Sequence, residues 1–128
     1  MAKELIQPTS VYKASTYSHA VKKNNIIFIS GQVSKDVHGK LVGSGDISAQ
    51  TEQVFKNLQE VTEASGATLR DIVKLTIFTT NIAFYRPGIT SVRDRYFNEE
   101  PPATTFAVVT SLSDPYLLLE VEAIAILD

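Results

Sequence analysis

The chain has 128 residues, 44% of them hydrophobic and 20% charged, with twelve Lys and Arg against fourteen Asp and Glu for a formal net charge of -2. This predicts one globular domain, residues 1–128, and excludes disordered, collagenous and coiled-coil chains. No basic block prepares the surface for nucleic acid, the absence of cysteine removes disulfides, thiol nucleophiles and Cys-ligated metals, and two histidines are too few for most remaining transition-metal sites.

Neither a signal-peptide core nor a window of roughly 18 apolar residues is present, so a cytoplasmic protein with no membrane span is expected. From Tyr17 the stretch YSHAVKKNNIIFISGQ holds two short apolar runs about a turn at Asn24-Asn25, which predicts a β-hairpin. The glycine-punctuated stretch VSKDVHGKLVGSGD reads as a loop with at most a short edge strand. Its GSGD lacks the lysine and spacing of a phosphate loop and reads as a turn and cap.

From Ile47 to Ala64 the period changes. Ile47, Val54, Leu58 and Val61, with Phe55 and Ala64 beside them, paint one face of an α-helix. Asp46 or Ser48 can cap its start, and Gly66 stands where a left-handed C-terminal residue is wanted. IVKLTIFTT then predicts a central strand, with Val73, Leu75 and Ile77 on one face and Lys74, Thr76 and Phe78 on the other. Pro87 and Gly88 open a shorter helix from about Ile89 to Phe97, lined by Ile89, Val92 and Tyr96 and ended by Pro101-Pro102. Two strands, about Thr104 to Thr110 and Leu117 to Leu127, follow around an Asp114-Pro115 turn. The order β-β-α-β-α-β-β gives an α+β fold, a mixed sheet with two helices on one face. The other face stays rich in aliphatic residues, which predicts a homo-oligomer that covers it.

In the last strand, Leu118, Glu120, Glu122, Ile124 and Ile126 must share a face because side chains alternate. Two carboxylates about 7 Å apart therefore interrupt an apolar row, and each needs a partner or a cleft. Glu122 is expected to be paired structurally, for example with Lys74. Glu120 is open to that reading or to general acid or base work. His19 and His38 have no acid at triad or ligand spacing and read as ordinary sheet or surface residues. The ISGQ context of Ser30 is not a nucleophile elbow, but Gly31, without a Cβ, lets its N–H approach a ligand.

YSHAV, ISGQ, the helix QTEQVFKNLQEVTEASGA, DIVKLTIFTT, Tyr96-Phe97, PPAT and EVEAIA, in this order and over nearly the whole chain from Tyr17, resemble the Rid family of enamine/imine deaminases. The family is also called YjgF-type or endoribonuclease L-PSP. The resemblance implies a chorismate-mutase-like α+β fold, a homotrimer whose sheets form a barrel, and ligand clefts between subunits. It also implies hydrolysis of a small enamine or imine to a keto acid and ammonia with no metal or organic cofactor.

Carried onto this chain, the catalytic residues are Glu120, which orients water, and Tyr17, which closes the cleft. Substrate binding falls to Ser30, Gly31, Thr104, Thr105 and Phe106. The family's Pro-Ala-Arg, whose arginine clamps the substrate carboxylate, reads Pro102-Ala103-Thr104 here. Phe106 stands where a small residue is usual, and Thr90 where an asparagine is. Arg70, Arg86, Arg93 and Arg95 are candidates to replace the missing cation. Two readings follow: a hydrolase with altered substrate preference, or a non-catalytic trimer that binds a small metabolite in the same clefts. RNA cleavage, implied by the older name, finds neither a basic stripe nor a histidine pair.

Overall fold

Strand pairing begins earlier than the sequence predicts. The computed structural model, which describes residues 2–128, opens with β1 (Glu4–Ile6), paired antiparallel to β2 (Ala20–Lys23) with Ile6 opposite Ala20. β2 and β3 (Ile26–Gln32) form the expected hairpin, and Asn24 supplies the positive φ of 55° in its turn. Between β3 and the long helix the chain makes only one isolated bridge, Lys35 to Leu41.

The helix α1 runs over Ile47–Ala64, with the Asp46 side chain accepting from the Ala49 N–H at its start. At its other end Gly66 takes φ 88°, and the Gly66 and Ala67 N–H groups donate back to Glu63 and Thr62, satisfying carbonyls that would otherwise be orphaned. Val54, Phe55, Leu58 and Val61 are fully buried, as the periodicity requires. Ala64, grouped with them by its spacing, is exposed. The buried face also includes the polar residues Gln50 and Asn57, which lie outside the apolar stripe.

β4 (Ile72–Thr79) is a central strand. Its register against the last strand slips between Ile72 and Lys74, so Val73 is an extra, bulged residue and is 44% exposed. The expectation that it shares a face with Leu75 and Ile77 is thereby corrected, and Ile72 takes the core position. A wide turn over Tyr85–Ile89 leads into α2 (Thr90–Tyr96), a residue shorter at each end than the pattern predicts. Ile89 and Val92 are buried. β5 (Ala103–Val108) and β6 (Leu119–Ile126) complete a mixed six-stranded sheet in the order β1-β2-β3-β6-β4-β5, with only the β4–β5 pair parallel.

Both helices cover one face of this sheet, joining Leu75, Ile77, Leu119, Val121 and Ala123 in one core. The fold is α+β. On the opposite face Phe28, Ile26 and Ile126 are exposed, Phe28 by 54%. Among the described residues no helix is long and apolar enough to cross a membrane.

Candidate functional site

The site is built on an irregularity in β3. Ile29 pairs with Ala123 and Gln32 with Val121, so Ser30 and Gly31 together face the single residue Glu122, a bulge. The bulge lets Ile29 and Gln32, three apart, both point into the core, and it brings Ser30 and Gly31 beside Glu120. Burial alternates along β6, placing Glu120, Glu122, Ile124 and Ile126 together on the face away from the helices, as the sequence predicts.

The Glu120 carboxylate lies directly over Gly31: a Cβ built there would sit 2.1 Å from Oε2 and 2.7 Å from Cδ. Only glycine leaves room for the acid in this position. Among the described residues Glu120 takes part in no ion pair. Burial, and then the negative charge of Glu122, push its pKa above the ordinary carboxylate value. The pairing expected of Glu122 is not formed either. Lys74 donates instead to the Thr105 hydroxyl, and Glu122 is exposed.

A cleft of about 410 Å³ opens beside the acid, lined by Tyr12, Tyr17, Ser30, Gly31 and Glu120 together with Val33, Lys35 and Ser113. Tyr17 is 47% exposed there, its carbonyl held by the Gln7 amide at 2.7 Å. The Ser30 hydroxyl donates to the Ser18 carbonyl at 2.6 Å, so its proton is committed to the loop and only its lone pairs face a ligand.

Polar side chains of α1 fix the cleft's walls. Asn57 donates to the Val33 and Lys35 carbonyls, and Gln50 to those of Gly43 and Tyr116 while accepting from Leu118 N–H. His19 is buried rather than on the surface. Its Nδ1 accepts from the Gln32 amide at 3.0 Å and its Nε2 donates to the Tyr12 carbonyl at 2.7 Å, which engages both nitrogens in structure. His38 is exposed in the loop. Among the described residues no three His, Asp or Glu side chains come together as a metal site would need.

Thr104, Thr105 and Phe106 lie elsewhere in this chain, on the edge strand β5, with β6 beyond the intervening β4. Thr104 and Phe106 pair with Leu75 and Ile77, so they face the helix side. The Thr104 hydroxyl donates to the Pro102 carbonyl at 3.0 Å, and Phe106 stacks on Tyr85 with ring centroids 3.8 Å apart. Thr105, level with Thr76 and Glu122, faces the other side.

Of the four candidate arginines, Arg70 pairs with Glu100 and Arg95 with Glu52. Arg93 is held by Asp94 and the Tyr85 hydroxyl. Arg86 lies 5.8 Å from the centroid of the Tyr85 ring and has no carboxylate partner among the described residues. The residue the sequence reading missed is Tyr12. It lies in the irregular segment between β1 and β2, where no periodicity marks a buried position, yet it is 5% exposed and lines the cleft.

Glu120 thus stands over a strand-end glycine, beside a tyrosine-lined cleft on a six-stranded sheet of an α+β fold. The Endoribonuclease L-PSP family profile matches residues 8–127. The chain is 33% identical over 126 residues to 3-aminoacrylate deaminase RutC of Acinetobacter baylyi, covering 98% of each. It is 31% identical over 121 residues to 2-iminobutanoate/2-iminopropanoate deaminase of Dermatophagoides farinae, covering 94% of this chain and 93% of that one. A crystal structure of a Rid-family protein of unknown function from Yersinia pestis superposes with a TM-score of 0.92 at 36% identity, over 98% of this chain and 100% of the other. The protein belongs to the Rid family, the family also described as Endoribonuclease L-PSP.

Proposed function

We propose that this protein is a cofactor-independent hydrolase of reactive imines and their enamine tautomers, working as a single-domain cytoplasmic homotrimer. The observation that carries this reading is the Glu120 carboxylate, seated over Gly31 in an open cleft where, among the described residues, it forms no ion pair. A carboxylate whose pKa is raised by burial takes up a proton more readily than an ordinary one.

In the proposed reaction Glu120 takes a proton from water as its oxygen bonds to the imine carbon. The imine nitrogen takes up the C=N electron pair and the proton from Glu120, which gives a neutral carbinolamine; its hydroxyl proton then passes through Glu120 to the nitrogen as the C–N bond breaks and the C=O bond forms, and a carbonyl compound and ammonia leave. The Gly31 backbone and the Tyr17 hydroxyl orient the substrate. The names of the two deaminase relatives, specific for 3-aminoacrylate and for 2-iminobutanoate or 2-iminopropanoate, support this reaction class.

The exposed Phe28, Ile26 and Ile126 on the free sheet face support burial against further copies. In that assembly the β5 edge of a neighbour would complete each cleft with Thr104, Thr105 and Phe106. A threonine bonded to its own backbone offers no bidentate cation, so the preferred substrate is more apolar and leans less on a carboxylate. Enamines generated in situ from a panel of amino acids test the proposal: faster ammonia release with wild type than with Glu120→Ala is expected, and equal rates across the panel would refute it.

Thr104 and Phe106 also favour a second reading, a trimer that binds an apolar metabolite without turnover. Thermal stabilisation by such a metabolite in wild type, with no turnover of any enamine, would select it.

A further inference from the structure

Of the residues that line the cleft, only Glu120 and Lys35 carry a charge. Lys35 follows Gly31 by four residues, past the end of β3, so up to about 13 Å of extended chain separates it from the glycine beneath the acid. Among the described residues the two form no ion pair, and Lys35 has no other carboxylate partner. One cleft thus holds an acid and a cation that are not paired with each other.

The backbone of Lys35 is fixed. Its N–H donates to the Val33 carbonyl at 2.9 Å, its carbonyl accepts from Asn57 of α1 at 3.0 Å, and it bridges to Leu41. With both main-chain groups bound inside the protein, the half-buried side chain is what Lys35 offers the cleft. The acids beside it in sequence and beside Ser113 of the cleft wall are engaged elsewhere. Asp36 accepts from the His38 and Lys40 N–H groups at 2.9 and 3.0 Å, and Asp114 accepts from the Tyr116 N–H at 2.8 Å. A lysine ammonium on its flexible stem is a compact point charge that can take a single anionic group. Tyr12 and Val33, both buried, give the same cleft an apolar wall, suited to the carbon chain of a ligand that reaches from one charge to the other.

We propose that Lys35 anchors the substrate: its ammonium binds a carboxylate at the far end of an imine whose C=N carbon lies at Glu120. The favoured substrate is then an imine with a terminal carboxylate and a short apolar chain between the two ends. A cation here and none at Thr104 move the anionic contact away from the reacting carbon. Turnover of such an imine rests on the deaminase reading above, whereas the anion site itself does not.

Two five-carbon oxo acids separate these claims. 2-Oxoglutarate and 2-oxopentanoate differ only in the carboxylate that ends the first, and the imines generated in situ from glutamate and norvaline are their precursors. Titration calorimetry of the oxo acids into wild type, Lys35→Gln and Lys35→Arg reads the anion site without any reaction. 2-Oxoglutarate is expected to bind wild type about fivefold more tightly than Lys35→Gln, the scale of a half-exposed ion pair. Lys35→Arg should keep that affinity, and 2-oxopentanoate should bind all three proteins alike. Equal binding of 2-oxoglutarate by wild type and Lys35→Gln, an equal loss for both oxo acids, or no binding by wild type would overturn the proposal. In ammonia release, Lys35→Gln should raise KM for the glutamate imine about fivefold and leave its kcat, and both constants for the norvaline imine, unchanged; an unchanged KM for the glutamate imine would overturn the proposal while the deaminase reading stood. If wild type hydrolyses neither imine, the deaminase reading falls and calorimetry alone decides the anion site.

Discussion

Gly31→Ala isolates the position of the acid from its chemistry. The new Cβ would stand 2.1 Å from Glu120 Oε2, whereas ordinary contact begins at 3.4 Å, so the oxygen must retreat by about 1.3 Å, the difference of the two. What yields is the end of a flexible side chain, and Gly31 is not among the glycines with positive φ, so the backbone can accept alanine. Overpacking costs about 1–3 kcal/mol, partly offset by the ~0.4–1 kcal/mol gained from a less flexible unfolded chain. The net effect on Tm is a few degrees.

The effect on rate is much larger, because misplacing a catalytic group by about 1 Å costs on the order of 10²-fold. Steady-state ammonia release measured beside thermal melts by circular dichroism should show a folded protein with kcat down roughly a hundredfold. The same substitution in a Glu120→Gln background should cost little more. A Gly31→Ala protein with wild-type kcat would refute the reasoning, since the acid would then work equally well from a displaced position.

Glu120→Gln should raise Tm at neutral pH. A carboxyl whose folded pKa is raised contributes stability below its unfolded pKa and loses that contribution as pH rises through the folded value. The advantage of the variant should therefore shrink to nothing as the melts are taken into acid, and a constant difference across pH would contradict the assignment. Thr104→Arg should increase kcat/KM for carboxylate-bearing imines by at least about tenfold, given that a buried charge-assisted contact is worth ~2–5 kcal/mol; unchanged selectivity over uncharged imines would contradict it. Phe28→Glu places a charge on the exposed sheet face and should yield monomers with lost activity in sedimentation velocity, whereas an intact trimer would show that this face is not the interface.

Period carried most of the fold. The helix face of Val54, Leu58 and Val61 and the outward row from Glu120 to Ile126 follow from 3.6- and 2-residue repeats that the structure keeps. Where the repeat breaks, the sequence misleads. Val73 fits the alternation of β4 but is the extra residue of a bulge, and β1 is too short to alternate at all. Gln50 and Asn57 look like surface because a buried amide is recognisable only once the loop carbonyls it bonds are known.

The cleft was legible in part. Tyr17, Ser30, Gly31 and Glu120 come together, brought there by the β3 bulge, while Thr104, Thr105 and Phe106 sit on a distant edge strand of the same chain. Tyr12 gave no signal because its burial depends on Val33 and His19, neither of which is its neighbour in sequence.

The most direct test is the pH dependence of kcat for wild type beside Glu120→Gln. With Glu120 as the base, the rate should rise with pH through an inflection above the ordinary glutamate value, and that limb should be absent from the residual activity of the variant. A limb that persists unchanged in Glu120→Gln would mean that another group carries the proton.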